Sequence, residues 1–95
     1  MNQISLIELE EYINNSSTRE YYYANRNELM IFNNVYIDYH CSTLVLKNVD
    51  TIIRTCPIKK VFVNDEYVDH DQRKYVLFHL ITYFNDEFDI WTANY

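Results

Sequence analysis

Apolar residues recur at helical spacing close to the start of the chain. Ser5 and Glu8 form the pattern Ser-x-x-Glu, in which each side chain accepts a hydrogen bond from the other residue's backbone N–H at the start of a helix. The apolar positions around it are Leu6, Ile7, Leu9, Tyr12 and Ile13. Together they predict a short amphipathic helix over residues 5–14, ended by the polar run Asn14-Asn15-Ser16-Ser17.

A second helical pattern occupies the last quarter of the chain. From Asp71 onwards, apolar residues at positions 76, 77, 80, 81, 84 and 88 fall on one stripe that Trp91 continues. Asp71 is a residue type that caps the start of a helix. A helix with this much apolar surface must be buried on more than one side, under its own sheet or against another chain. The pattern predicts a C-terminal helix packed on the sheet.

Short runs rich in β-branched and aromatic residues fill the middle of the chain, and asparagines separate several of them. Such runs predict strands. We expect two-residue hairpin turns at Asn33-Asn34 and at Asn64-Asp65. Residues 51–54 fit either a strand or a single helical turn ended by Pro57. The remaining predicted strands are 29–32, 35–39, 43–46, 61–63 and 66–68.

These elements define the expected fold class: α+β, one small domain of residues 1–95, with N- and C-terminal helices. Its sheet is expected to be mainly antiparallel, with three to five short strands from about 21 to 68. A parallel solenoid is the alternative, because Leu29-x-Ile31, Leu44-x-Leu46 and Val61-x-Val63 each lead into an asparagine, at offsets of 15 and 17 residues. Leucine-rich repeats have periods of roughly 20–29 residues, so ordinary strands explain the pattern as well.

The composition excludes several classes of site. The chain has no glycine, and phosphate-binding loops, strained nucleophile turns and dinucleotide fingerprints depend on glycine in their usual form. A chain of 95 residues is also small enough that a deep cleft would take much of its core. The sequence therefore favours a binding surface over a buried active site, and no cofactor is expected.

Negative charge is concentrated in the later part of the chain. The chain has fourteen acidic and eight basic residues, which gives a formal net charge of −6. An AT-rich genome explains the abundance of Asn, Tyr and Ile through codon bias, but the same bias also enriches lysine, so it leaves the acidity unexplained. Residues 61–95 have only Arg73 and Lys74 as basic side chains, and this region repels nucleic acid. Its acidic residues are Asp65, Glu66, Asp69, Asp71, Asp86, Glu87 and Asp89.

Three consecutive tyrosines, Tyr21, Tyr22 and Tyr23, cannot all face one core. In a strand, Tyr21 and Tyr23 would point one way and Tyr22 the other. Tyrosines near Arg19 and Arg26 fit a stacking surface for single-stranded nucleic acid or a protein interface, and the overall charge favours the protein. An edge strand with one partly buried tyrosine face is the plain alternative.

Candidate metal or catalytic groups are few. Asp38, His40 and Cys41 are close in sequence, but Cys41 would point away from the other two in a strand. Asp69-His70-Asp71 places carboxylates beside an imidazole, although both acids also suit the start of the predicted final helix. A small metal-dependent hydrolase that uses His40 and His70 is therefore the weakest of three functional hypotheses. Cys41 and Cys56 are expected to be reduced thiols.

The favoured hypothesis is a non-enzymatic protein-binding module. Its composition resembles that of virus- or phage-encoded inhibitors of host nucleic-acid-handling proteins, which implies a partner with a basic surface and charge mimicry of nucleic acid. Direct binding of nucleic acid or membrane is not expected. The expected contact residues are the three tyrosines 21–23 and the acids Asp65, Glu66, Asp69, Asp86, Glu87 and Asp89.

The remaining rival is a structural homo-oligomer, in the simplest case a homodimer. It would form through the aromatic surface of the final helix, around Tyr75, Phe78, Tyr83 and Trp91. Residues 1–5 lack the features of a secretory signal and no apolar run is long enough to span a membrane. We therefore expect a cytoplasmic protein, in the host cytoplasm if it is viral.

Overall fold

The computed structural model describes residues 1–16, 20–68 and 71–93. These residues form eight strands and one nine-residue helix. In chain order the elements are β1 Asn2–Ile4, α1 Leu6–Asn14, β2 Tyr21–Ala24, β3 Leu29–Phe32, β4 Asn34–Asp38, β5 Thr43–Asn48, β6 Thr51–Val68, β7 Lys74–Thr82 and β8 Glu87–Ala93.

The strands form one antiparallel sheet in the order β3-β2-β8-β7-β6-β5-β4, with β1 paired to β6. The first part of the long strand β6 pairs with β5, and its second part pairs with β7. The sheet begins and ends on β3 and β4, which Asn33 alone separates along the chain. The sheet therefore curls into a half-barrel whose end strands are joined at Asn33.

The predicted α+β class with a helix at each end is wrong. The chain starts with a strand, and the predicted C-terminal helix is the hairpin of β7 and β8. Alternate residues of β7, Val76, Phe78 and Leu80, are buried in the core. Leu77 and Ile81 point to the other face and are partly buried there. A strand that is apolar on both faces reads as a nearly continuous apolar run, and such a run also satisfies helical spacing.

The capping box predicted from Ser5 and Glu8 is present at the start of α1. The Glu8 backbone N–H donates to Ser5 Oγ, and the Ser5 backbone N–H donates to Glu8 Oε1, each at 3.2 Å. Leu9 and Ile13 are the buried residues of the helix. They face Tyr21, Phe78 and Leu80 across a small apolar void, so α1 covers one end of the half-barrel.

Both predicted hairpin turns are wrong. Strands β3 and β4 do not pair with each other; β3 pairs with β2 and β4 with β5. Asn33 is a corner, where its backbone N–H donates to Lys47 O at 3.3 Å and its side-chain Oδ1 accepts from Val49 N at 2.9 Å. At Asn64-Asp65 the chain does not turn, and the register of β6 against β7 shifts at this point as in a β-bulge.

The strand predicted for residues 43–46 is confirmed within β5, and residues 51–54 are strand, not a helical turn. Strand β6 also passes through Pro57. Proline cannot donate to the ladder, and Pro57 lies opposite Thr43, the first residue of β5, at the end of this pairing. All strand pairs between described residues are antiparallel, so the parallel solenoid alternative is also wrong.

Four residues with a side chain adopt a positive φ among the residues that the structure describes. They are Ser42, Val49, Gln72 and Asn85, with φ between 51° and 64°. Asn85 takes the role that glycine would have in the turn between β7 and β8, as asparagine tolerates this conformation well. Val49 at φ 56° is a costly exception, because a β-branched side chain crowds the backbone there.

The core lies inside the half-barrel. Phe32, Leu46, Phe78 and Leu80 are at most 1% exposed, and side chains from β2, β4, β6 and β8 complete the cluster around them. No helix formed by the described residues combines the length and the apolar character needed to cross a membrane.

Candidate functional site

Three neighbouring strands place aromatic and acidic side chains together on the outer face of the sheet. Tyr22 of β2 lies opposite Trp91 of β8, and Trp91 lies opposite Leu77 of β7. In the adjacent row, Asp89 lies opposite His79. These side chains point away from the core because Tyr21, Tyr23, Phe78 and Ile90, their neighbours along the strands, are buried in it.

Tyr22 is packed by two other aromatic rings. Its ring stacks on Trp91 with 5.6 Å between centroids and 15° between planes, and it meets Tyr75 edge-on at 6.2 Å. The Tyr22 hydroxyl donates to Glu20 Oε2 at 3.2 Å. Partial burial raises the pKa of Tyr22, and the hydrogen bond to Glu20 raises it further. The stack is therefore a preformed aromatic surface with a carboxylate at its margin.

His79 is held between two of the predicted acidic residues. Its Nδ1 lies 2.7 Å from Asp89 Oδ1, and its Nε2 lies 3.4 Å from Glu87 Oε1. The hydrogen bond to Asp89 raises the pKa of His79, burial opposes that rise, and Glu87 adds to it. Protonated His79 offsets part of the negative charge of this face, so the net charge of the face depends on pH.

We define the aromatic-acidic patch as Tyr22, Leu77, His79, Glu87, Asp89 and Trp91. It unites three of the residues predicted from the sequence, Tyr22, Glu87 and Asp89. The other two tyrosines lie in the core, with Tyr21 7% and Tyr23 3% exposed. A partner would contact their rings only if the core opened.

The remaining predicted acids lie elsewhere. Asp65 and Glu66 are exposed in the bulge of β6 opposite Val76, and Asp65 Oδ2 accepts a hydrogen bond from the Tyr12 hydroxyl at 3.4 Å. The rise of a strand places them about 10–17 Å along β7 from Asp89 and Glu87. Asp86 lies in the turn between β7 and β8 and lines a groove at the end of the half-barrel that α1 does not cover. Asp69 lies outside the described residues.

Sequence reasoning missed the roles of His79 and Trp91 because both were assigned to a helix. The alternation of Glu87, Phe88, Asp89, Ile90 and Trp91 is the signal that could have found them. It has the period of two that a half-buried strand requires, and the polar turn residues Asn85-Asp86 come directly before it.

The candidate metal and catalytic residues are not brought together. His40 is exposed, and its backbone N–H donates to Asp38 Oδ1 at 3.0 Å within a turn. His70 lies outside the described residues. Within the described parts of the chain, no three His, Cys, Asp or Glu side chains are grouped so that they could hold a metal ion. Cys41 and Cys56 are free thiols, the first exposed and the second buried.

Comparison of the chain with protein-family models, with curated proteins and with solved structures finds no match. The functional argument therefore rests on the geometry of the site.

Proposed function

We propose that this protein is a non-enzymatic binding module that docks a protein with a basic surface through the aromatic-acidic patch. The observation that carries the proposal is the preformed Tyr22–Trp91 stack beside the carboxylates of Asp89 and Glu87. Aromatic side chains surrounded by polar groups are typical of the centres of protein interfaces.

The charge of the protein supports a basic partner. The formal net charge is −6. Glu20 borders the aromatic stack, and Asp89 and Glu87 continue the same face of β8 beyond Trp91. Opposite charges on two proteins speed their encounter and orient them, whereas the buried contacts determine how slowly the complex dissociates. In this proposal the carboxylates provide the attraction and Tyr22 and Trp91 provide the lasting contact.

The arrangement of His79 favours binding over acid-base catalysis. A catalytic histidine needs one ring nitrogen oriented by a partner and the other open to the substrate. Here Nδ1 contacts Asp89 and Nε2 faces Glu87. Both nitrogens are directed at carboxylates, which suits a structural and electrostatic role.

Inhibition of a nucleic-acid-binding protein by charge mimicry is the narrower form of the proposal. It needs a row of carboxylates spaced like phosphates. Leu77 and Trp91 lie between the acids at the two ends of β7, so a mixed acidic and aromatic interface is the better fit. If the protein mimics nucleic acid, nucleic acid should compete with it for the partner. If it binds another part of the partner through a mixed interface, nucleic acid should not compete.

The test starts with a photo-crosslinking amino acid at position 91. A matched protein carries it at Ile52, an exposed residue on the part of β6 that pairs with β5. Proteins that crosslink from position 91 and not from position 52 in lysate are identified and purified. The proposal expects such a partner, with a basic surface. Equal crosslinking from both positions, or none from position 91, contradicts it.

Two charge variants with the same change in net charge then locate the interface on the purified partner. Glu87→Gln with Asp89→Asn removes the carboxylates of the patch, and Asp65→Asn with Glu66→Gln removes two from the other end of β7. The first pair should slow association at low salt about tenfold, and the second pair should slow it less. Equal effects would show that only net charge matters, which contradicts docking at the patch.

A further inference from the structure

A groove with a volume of about 560 Å³ opens at the end of the half-barrel opposite α1. Helix α1 covers the end where β2 begins, at Tyr21, whereas the groove is lined where β2 ends and where β7 meets β8. The volume lies in the range of pockets that hold small molecules, and the mouth of a barrel is a common place for them. The groove is separate from the aromatic-acidic patch except for Glu87, which borders both.

One wall of the groove carries a guanidinium group held in a fixed position. Arg54 Nη1 donates to the Tyr23 hydroxyl at 3.0 Å, and its guanidinium lies over the Tyr23 ring at 5.3 Å. Its Nη2 donates to both carboxylate oxygens of Glu28, at 3.0 and 3.1 Å. A side chain restrained from several directions loses little freedom when a ligand binds.

The Tyr23 hydroxyl has a hydrogen that no described residue accepts. Its oxygen accepts from Arg54 and also from Asn25 Nδ2 at 2.9 Å. The orientation of the Asn25 amide is fixed, because its Oδ1 accepts from the backbone N–H groups of Asn27 and Glu28. Both neighbours are therefore donors, and the Tyr23 hydroxyl can only donate to a further acceptor. Tyr23 is 3% exposed and lines the groove, so that acceptor fits a ligand atom.

Charges of opposite sign lie across the floor of the groove. Arg26 lines the groove from the segment after β2 and forms no ion pair within the described part of the chain, and Asp86 and Glu87 line it from the turn between β7 and β8 and the start of β8. Cys56 also lines the groove: burial raises the pKa of its thiol to about 11, Arg54 opposes that rise and Asp86 adds to it. The Cys56 thiol is therefore neutral, and both Arg54 and Asp86 are close enough to affect its pKa.

We propose that the groove binds a small zwitterion of the α-amino acid class. The ligand carboxylate accepts from the Tyr23 hydroxyl on the arginine side, and the ligand ammonium lies against the Asp86 carboxylate. Asp86 and Glu87 would repel a simple anion, and Arg26 would repel a simple cation, whereas the charge of Arg54 is matched by Glu28. Only a ligand with both charges is attracted by both walls.

The test is a titration of the isotope-labelled protein with each standard amino acid, followed by NMR up to about 10 mM, because a weak specific site has a dissociation constant near 1 mM. We expect at least one amino acid to give saturable shifts in the amides of residues 25–27 and 82–87. Its amidated and N-acetylated forms, which each lack one charge, should bind about tenfold more weakly or worse. Absence of saturable shifts with every amino acid, or equal binding of a singly charged form, overturns the proposal.

Two variants localise the ligand. Asp86→Asn should weaken binding of the amino acid about tenfold, and Asp50→Asn, which removes an exposed acid outside the groove, should leave it unchanged. Tyr23→Phe removes only the hydroxyl and should also weaken binding. If Tyr23→Phe lowers stability, Asp86→Asn still decides the matter, because Asp86 is exposed. Equal affinity of Asp86→Asn and Asp50→Asn contradicts the site. Asp89→Asn changes the patch at a residue that does not line the groove and should leave this binding unchanged, so the two proposals fail independently.

Discussion

The two ends of the half-barrel are completed in different ways. At one end α1 inserts Leu9 and Ile13 against an apolar surface. At the other end no helix covers the opening among the described residues, and arginine, asparagine and aspartate side chains line a groove. The covered end therefore contributes to stability through burial, whereas the polar groups of the open end retain the capacity to bind a ligand.

The largest expected effect comes from removing a buried side chain at the covered end. Leu9→Ala should lower the free energy of unfolding by about 2–5 kcal/mol, because Leu9 is 2% exposed and its loss leaves a cavity. Phe84→Ala at the open end removes a larger side chain that is 76% exposed, and should change stability by about 0.5 kcal/mol or less. Urea unfolding measures both. If the two variants lose comparable stability, side chains at the open end also pack in the core.

A smaller gain is expected at the turn between β5 and β6. Val49 has φ 56° and is 72% exposed, so its side chain pays a steric penalty without gaining burial. Val49→Asn should raise the free energy of unfolding by about 1 kcal/mol, because asparagine adopts this conformation more easily. Asp50→Asn in the same turn is the control and should have little effect. Thermal unfolding that shows no gain for Val49→Asn contradicts the assigned backbone conformation.

At the open end we expect a smaller loss from Arg54→Lys. The substitution keeps the charge but removes the two-pronged contact with Glu28 and the bond to Tyr23. Arg54 and Glu28 are partly exposed, so the cost should be about 1 kcal/mol or less. Lys59→Arg, at an exposed position of β6, should be neutral. If Arg54→Lys leaves the urea midpoint of unfolding unchanged, water fully replaces the hydrogen bonds that Arg54 makes to Tyr23 and Glu28.

The smallest effect is a pH dependence at the patch. His79 has a pKa raised above its ordinary value of 6.5, so the stability it adds is fully present below that value. This stability is lost as the pH rises through the higher pKa of the folded state. The charged groups that face it are Asp89 and Glu87 from β8, whereas β6 presents Phe62.

Comparison of the wild type with His79→Gln isolates this contribution. The difference in unfolding free energy between the two proteins should shrink as the pH rises above 6.5, because His79 loses its proton at a higher pH in the folded state than in the unfolded state. Association with a basic partner should become faster over the same range, since deprotonation makes the patch more negative. If the difference in unfolding free energy does not change with pH, this contradicts an ion pair between His79 and Asp89.

The sequence predicts structural features that depend on residues close together in the chain. It does not predict features that are determined by contacts between residues far apart in the chain. The capping box of Ser5 and Glu8 and the strand at residues 43–46 are local features, and both are present. Asn33-Asn34 has the chemistry of a tight hairpin, but its conformation depends on Lys47 and Val49, which meet it only in the folded protein. The helical spacing of residues 76–88 was misleading because β7 is apolar on both faces.

The candidate site was predictable in part for the same reason. Alternation along β2 separates Tyr22 from Tyr21 and Tyr23, as expected for a strand. The pairing of β2 with β3 and β8 determines which face of β2 points inward. No local sequence pattern predicts this pairing. Glu87 and Asp89 were identified by charge alone, whereas their contact with His79 needed the pairing of β7 with β8.

The joining of β3 to β4 through Asn33 has a consequence for solubility. A β-rich chain with many aromatic residues is prone to fibril growth when the edges of its sheet offer unpaired backbone to other molecules. Here the terminal strands meet each other, the Ile31 carbonyl accepts from Asn48 Nδ2 at 3.3 Å, and α1 lies close to β4. Asn48 and α1 therefore occupy part of the margins of the sheet and reduce the backbone that is open to strand addition by another molecule.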